Sequence, residues 1–149
     1  MLDRAWIAAH IPHQGDMCLL DSVVEWSEAG IECHAISPLA SDHPLRRAGR
    51  LGAACAIEYA AQAMAVHGAL LGGSDAPPRQ GYLTSVRGVR LHVARLDEGA
   101  GDMLVRAERL TGDANHVMYQ FSVLRDGCCL VEGRASVVLD AGALHGGRS

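Results

Sequence analysis

The stretch Leu51–Gly73, LGAACAIEYAAQAMAVHGALLGG, constrains the fold more than any other part of the chain. It carries a single carboxylate, Glu58, and no other Asp, Glu, Lys or Arg lies between Arg50 and Asp75. Its alanines and other good helix formers suit a helix of roughly five turns. Gly68, Gly72 and Gly73 supply stop signals, and GSDAPPRQG follows as a linker. A helix that is apolar all round belongs inside a protein. Glu58, Gln62, His67 and the glycines make it a poor membrane span.

What surrounds the helix is strand-like. MCLLDSVVEW reads as a strand, SEAG as a turn and IECHAI as a second strand with period-2 alternation. After the helix, TSVRGVRLHVARL alternates, with Val89, Leu91 and Val93 on one face and Arg90 and His92 on the other. DMLVRAERL, HVMYQFSVL and CCLVEGRASVVLD follow, with TGDAN and RDG as hairpin turns. One buried helix among about five to six antiparallel strands calls for a curved sheet wrapped around it, the α+β arrangement known as the hotdog fold. Small alanine side chains let such a sheet approach closely. Residues 1–149 are read as one domain, with a short N-terminal segment to about Gly15, read as a loop or one helical turn, and a flexible tail over 140–149. A wrapped sheet leaves a free edge, so dimerisation through an edge strand is expected.

Composition removes several classes of function. The net charge is -4 and aromatics are 4%, so neither a protein-wide basic field nor a base-stacking platform for nucleic acid is expected. The N-terminus MLDRAWIAAHIPHQG lacks a clean apolar core and does not read as a secretory signal. The five cysteines, Cys18, Cys33, Cys55, Cys128 and Cys129, form no CxxC pair and no regular framework. Reduced thiols in a cytoplasm are expected. Neighbours in a strand point to opposite faces, so Cys128 and Cys129 are read as structural. No Gly-rich phosphate loop or GxSxG elbow is present. His10, His13 and Asp16 have a loose metal-like spacing without further ligands, and no metal is expected.

Glu58 is the first candidate for chemistry. Burial disfavours the ionised form of a carboxylate and suits it to act as a general acid. Gln62, one turn later on the same face, is placed to orient it or to bind ligand. The alternative is a structural Glu58 paired with Arg87 or Arg90, or emerging at the helix edge. His13, in the loop IPHQGD, and His43, in SDHPLRR, are the candidate imidazoles, either within the chain or across a dimer interface. Arg46, Arg47 and Arg50 precede the helix, whose start at Gly52 and Ala53 offers N–H groups to a phosphate or carbonyl.

Together, IPHQGDMCLLD, AIEYAAQAM and GYLTSVRGVRLHV resemble the hotdog-fold 3-hydroxyacyl-acyl carrier protein dehydratases over roughly Ile11 to Leu139. The resemblance is to a divergent branch associated with aryl polyene pigment synthesis. It implies dehydration of a 3-hydroxyacyl thioester to the trans-2-enoyl thioester. Glu58 would be the acid that protonates the departing hydroxyl, and a histidine the base at C2. A backbone N–H near Gly52 or Ala53 would hold the thioester carbonyl, with Gln62 beside the substrate. No cofactor is implied beyond the phosphopantetheine arm of the carrier protein, which Arg46, Arg47 and Arg50 would receive. The family's Gly-His-Phe-Pro-Gly stretch is here SDHPLRRAGRLGAAC, which leaves His43, His13 or neither as the base. The implied assembly is a homodimer or a heterodimer with another hotdog dehydratase. The readings kept beside it are a hotdog thioesterase using Glu58 to activate water, and a non-catalytic partner subunit.

Overall fold

The computed structural model describes residues 2–10, 19–35, 52–71, 81–96, 102–112 and 116–139. Strand β1 (Leu2–Asp3) leads into helix α1 (Arg4–His10), then β2 (Leu20–Ser27) and β3 (Gly30–Ala35). One 3-10 turn (Ala53–Cys55) opens helix α2 (Ala56–Leu71). Four strands follow: β4 (Gly81–Leu91), β5 (Met103–Gly112), β6 (His116–Arg125) and β7 (Cys128–Leu139). They form one antiparallel sheet in the order β1-β2-β3-β5-β6-β7-β4, with β4 at one edge. The hotdog arrangement of one long helix against an antiparallel sheet is therefore the observed fold, with seven strands among the described residues.

Helix α2 packs on the inner face of the sheet through Ala56, Tyr59, Ala60, Ala63, Met64 and Val66, all buried. Facing it are Val105, Val117, Tyr119, Phe121, Val123 and Ala135, also buried. Along β6 these alternate with half-buried or exposed Met118, Gln120 and Ser122, which fall on the outer face. Ile57, Ala61 and Ala65 remain half-buried, so the helix is covered on one side rather than all round by the described residues.

Two local features differ from the sequence reading. The N-terminal segment holds both a strand pairing, Leu2 with Val23 and Asp3 with Ser22, and the helix α1. Asp3 Oδ1 accepts the Trp6 N–H at 3.0 Å and so caps that helix, while Ile7 is fully buried. Strand β4 stops at Leu91 and not near Leu96, so the alternation read through Val93 does not persist. Its register slips between Arg87 and Arg90, where Gly88 adopts φ +60°, a conformation that glycine adopts without a Cβ penalty. The expected Asp-Gly hairpin is present, with Asp126 and Gly127 at φ 52° and 80° between β6 and β7.

One core histidine was not singled out in the sequence. His67 of α2 has no exposed surface; its Nδ1 lies 2.7 Å from the Tyr119 hydroxyl and its Nε2 2.7 Å from the Ser27 carbonyl. A carbonyl can only accept, so Nε2 carries the proton and Tyr119 donates to Nδ1. Desolvation first of all lowers the pKa of His67 from its ordinary value. Burial likewise pushes the Tyr119 hydroxyl up to about 12, so both stay neutral near pH 7. No described helix is long and apolar enough to cross a membrane.

Candidate active site

Glu58 sits in the first turn of α2 and is half-buried. Gln62, one turn on, is fully buried, and its Nε2 donates to Glu58 Oε2 at 3.2 Å. Its Oε1 accepts the backbone N–H of Leu19 at 2.8 Å. That second bond fixes the amide: Oε1 must face the Leu19 donor, so Nε2 must face the carboxylate. Gln62 thus ties the acid to the backbone immediately before β2. Because Gln62 donates to Oε2, a proton carried by Glu58 is favoured on Oε1.

The start of the helix is held by the segment after β4. The Ala53 N–H donates to the Ala94 carbonyl at 2.9 Å, and Gly52 forms a bridge with Arg95. Arg125, buried at the end of β6, donates from Nη2 to the Leu96 carbonyl, while its Nε has no hydrogen-bond partner among the described residues. These contacts correct one expectation. The Ala53 N–H is already committed to Ala94 and does not serve as a free donor to a thioester carbonyl. Gly52 is exposed, and a Cβ built on it would meet nothing within 4 Å among the described residues.

His13, His43, Arg46, Arg47 and Arg50 lie outside the described residues. The two ends of the segment carrying His13 are both described: α1 ends at His10, and Leu19 is bonded to Gln62. Arg87 and Arg90, considered above as partners for Glu58, line a hollow of about 450 Å³ with Arg134, Met118 and Gln120. Met118 and Gln120 project from the sheet face opposite α2, which places that hollow away from Glu58. His67 is excluded as the imidazole facing Glu58: both ring nitrogens are engaged in the core, and nine residues of helix separate the two, about 13 Å along the axis. His34 contacts Asp21 and Asp102, and His92 contacts Glu132.

Similar proteins place the chain. One chain of the ApeI:P dehydratase heterocomplex from Xenorhabdus doucetiae superposes with a TM-score of 0.80 at 22% identity, covering 96% of this chain and 97% of that one. A variant of thioesterase PA1618 from Pseudomonas aeruginosa gives 0.65 at 11% identity, covering 93% and 94%. Thioesterase HI1161 from Haemophilus influenzae gives 0.58 at 12% identity, covering 79% and 76%. At these identities the structures show a shared hotdog fold. No curated protein matches the sequence. The ApeP-like family model, described as ApeP dehydratase, matches residues 5–143, and the chain therefore belongs to the ApeP-like dehydratase family.

Proposed function

We propose that this dehydratase acts on a 3-hydroxyacyl thioester carried by an acyl carrier protein, in synthesis of an aryl polyene or a related fatty-acid-like product. The observation that carries the reading is the chain of contacts from Glu58 through Gln62 to Leu19. It joins an oriented acid on the central helix to the segment that bears His13. His13 lies three residues beyond the end of α1 and six before Leu19, whereas His43 lies eight residues beyond Ala35 and nine before Gly52. The shorter tethers, one of them ending at Gln62, favour His13 as the base.

In the proposed reaction His13 takes the C2 proton while Glu58 gives its proton to the C3 hydroxyl. The C–O bond breaks, the C2–H electron pair becomes the C2–C3 double bond, and water leaves. The proton on His13 then returns to Glu58 by way of solvent. Gln62 holds the carboxyl throughout, which limits reorganisation at the moment of transfer. Arg46, Arg47 and Arg50 are proposed to meet the acidic carrier protein and its phosphopantetheine arm. No separate cofactor is invoked for this step, and a cytoplasmic location is proposed with it.

The proposed assembly is a dimer through β4, the long strand at the edge of the sheet, where Leu83 and Leu91 are exposed. The ApeI:P structure is a heterocomplex, which favours a second hotdog dehydratase as the partner. The thioesterase folds keep hydrolysis as the second reading.

The test is to incubate the purified protein, alone and with a hotdog partner, with a 3-hydroxyacyl carrier-protein thioester and to follow product mass. Loss of water supports the proposal, and release of free acid supports hydrolysis. Turnover that appears only with the partner, and survives Glu58→Gln, assigns this chain a non-catalytic role. His13→Ala and His43→Ala then decide the base.

A further inference from the structure

A second group of chemically active side chains lies on the outer face of the sheet, where the proposed dehydration does not use it. His92, Cys129 and Glu132 each present one donor atom, and the three atoms lie within 4.8 Å of one another. His92 Nε2 is 2.8 Å from Glu132 Oε2.

The backbone builds this convergence. Val131 pairs with Val123 but Cys129 pairs with Leu124, so Leu130 is an extra residue in β7, a β-bulge. Leu130 and Val131 are consequently buried in succession, and Cys129 and Glu132, three residues apart, project to the same outer side. The Leu130 carbonyl accepts the His92 N–H at 2.8 Å, which brings the end of β4 over the bulge. Bulges of this kind redirect side chains and are common beside functional sites. Cys129 and Glu132 also line an open hollow of about 330 Å³. Arg106, the cation lining that hollow, is engaged with Glu32 at 2.9 Å.

We propose that His92, Cys129 and Glu132 form a binding site for a zinc ion, with a fourth position open to the outer hollow. An imidazole nitrogen, a thiolate and a carboxylate are the three ligand types zinc accepts, and three protein ligands with an open place are its usual exchangeable arrangement. Donor atoms already this close need only small rotations to surround one ion. Binding displaces the thiol proton to solvent and moves the His92 proton from Nε2 to Nδ1, since zinc takes the lone pair of Nε2. The Cys129 thiol donates to the Val131 carbonyl at 3.5 Å, a bond that gives way when the thiolate binds zinc. The site joins β7 to the residue just past the end of β4, 37 positions apart in sequence from His92 to Cys129, which is why no ligand spacing announced it.

The experiment uses the full chain, freed of metal with a chelator and titrated with zinc by calorimetry and with cobalt by absorption. One zinc per chain and a thiolate-to-cobalt charge-transfer band are expected. Cys129→Ser removes the band. His92→Ala, Cys129→Ser and Glu132→Gln each weaken zinc binding by about 10-fold or more, the scale on which even outer partners of a metal act. Cys128→Ser, a change at the exposed neighbour, leaves both readouts intact. A wild-type chain that binds zinc no better than the His92→Ala and Glu132→Gln variants overturns the proposal. So does a cobalt band that survives Cys129→Ser. Circular dichroism of each variant separates lost ligands from lost folding.

Discussion

Replacing Gln62 with Leu removes the amide while keeping most of its volume, and its cost follows from the contacts on each side. Gln62 is fully buried, so the Leu19 N–H, buried as well, is left without its acceptor at 2.8 Å. An unsatisfied buried donor costs about 1–3 kcal/mol, and the lost bond to the Glu58 carboxyl adds about 1 kcal/mol. The apolar gain of a buried Leu offsets part of this. A net loss of about 2–3 kcal/mol is expected, or roughly 4–12 °C in Tm for a chain of this size. Urea denaturation at neutral pH measures it directly. Activity falls as well, because Glu58 loses the donor that orients it. Glu58→Gln provides the contrast: Glu58 is only half-buried, so this variant should lose turnover while staying within about 1 kcal/mol of the parent. If Gln62→Leu unfolds at the same urea concentration as the parent, the tie between helix and β2 does not carry the stability assigned to it.

Other outcomes follow from the same structure. The pKa of His67 is lowered in the folded chain, so below the ordinary histidine value, near pH 6.5, the unfolded state binds more protons and stability falls as pH drops. His67→Gln should flatten the urea midpoint between about pH 7.5 and 5.5, and an unchanged slope there assigns the pH dependence elsewhere. Tyr119→Phe strips the donor from His67 Nδ1 at 2.7 Å and should cost about 1–2 kcal/mol in chemical denaturation. At Gly30 a Cβ would lie 2.6 Å from the Ala107 carbonyl oxygen, a backbone atom that cannot step aside. Gly30→Ala should therefore lower Tm more than Gly88→Ala. At Gly88 a Cβ would meet nothing within 4 Å among the described residues, and only the left-handed backbone is penalised, by about 1 kcal/mol.

The fold was legible where the signal is local. Alanine content and length identified α2, period-2 runs identified β2, β3, β5, β6 and β7, and Asp126-Gly127 marked its hairpin. What lay hidden depends on register. Nothing near Gly88 in sequence says that β4 slips there, because a bulge exists only relative to the partner strand. Of the capped α1 only a loop or one helical turn was expected, since seven residues give little periodicity to read. In the site, Glu58 and Gln62 were visible as an i, i+4 pair. Their anchor at Leu19 was not, since it is 43 residues away and uses a backbone donor that no side chain reveals. The same holds for His67, whose Tyr119 partner is 52 residues distant. The free N–H expected at Ala53 failed for a related reason. A helix start offers donors only if no other strand reaches them, and here the Ala94 carbonyl does.

Single-turnover dehydration of a 3-hydroxyacyl carrier-protein thioester, with the hotdog partner present and product mass as readout, bears most directly on the role of Glu58. The parent chain is expected to release one water per thioester, and Glu58→Gln to release none while remaining folded and bound to its partner. Full dehydration by the Glu58→Gln complex would place the catalytic acid outside this chain.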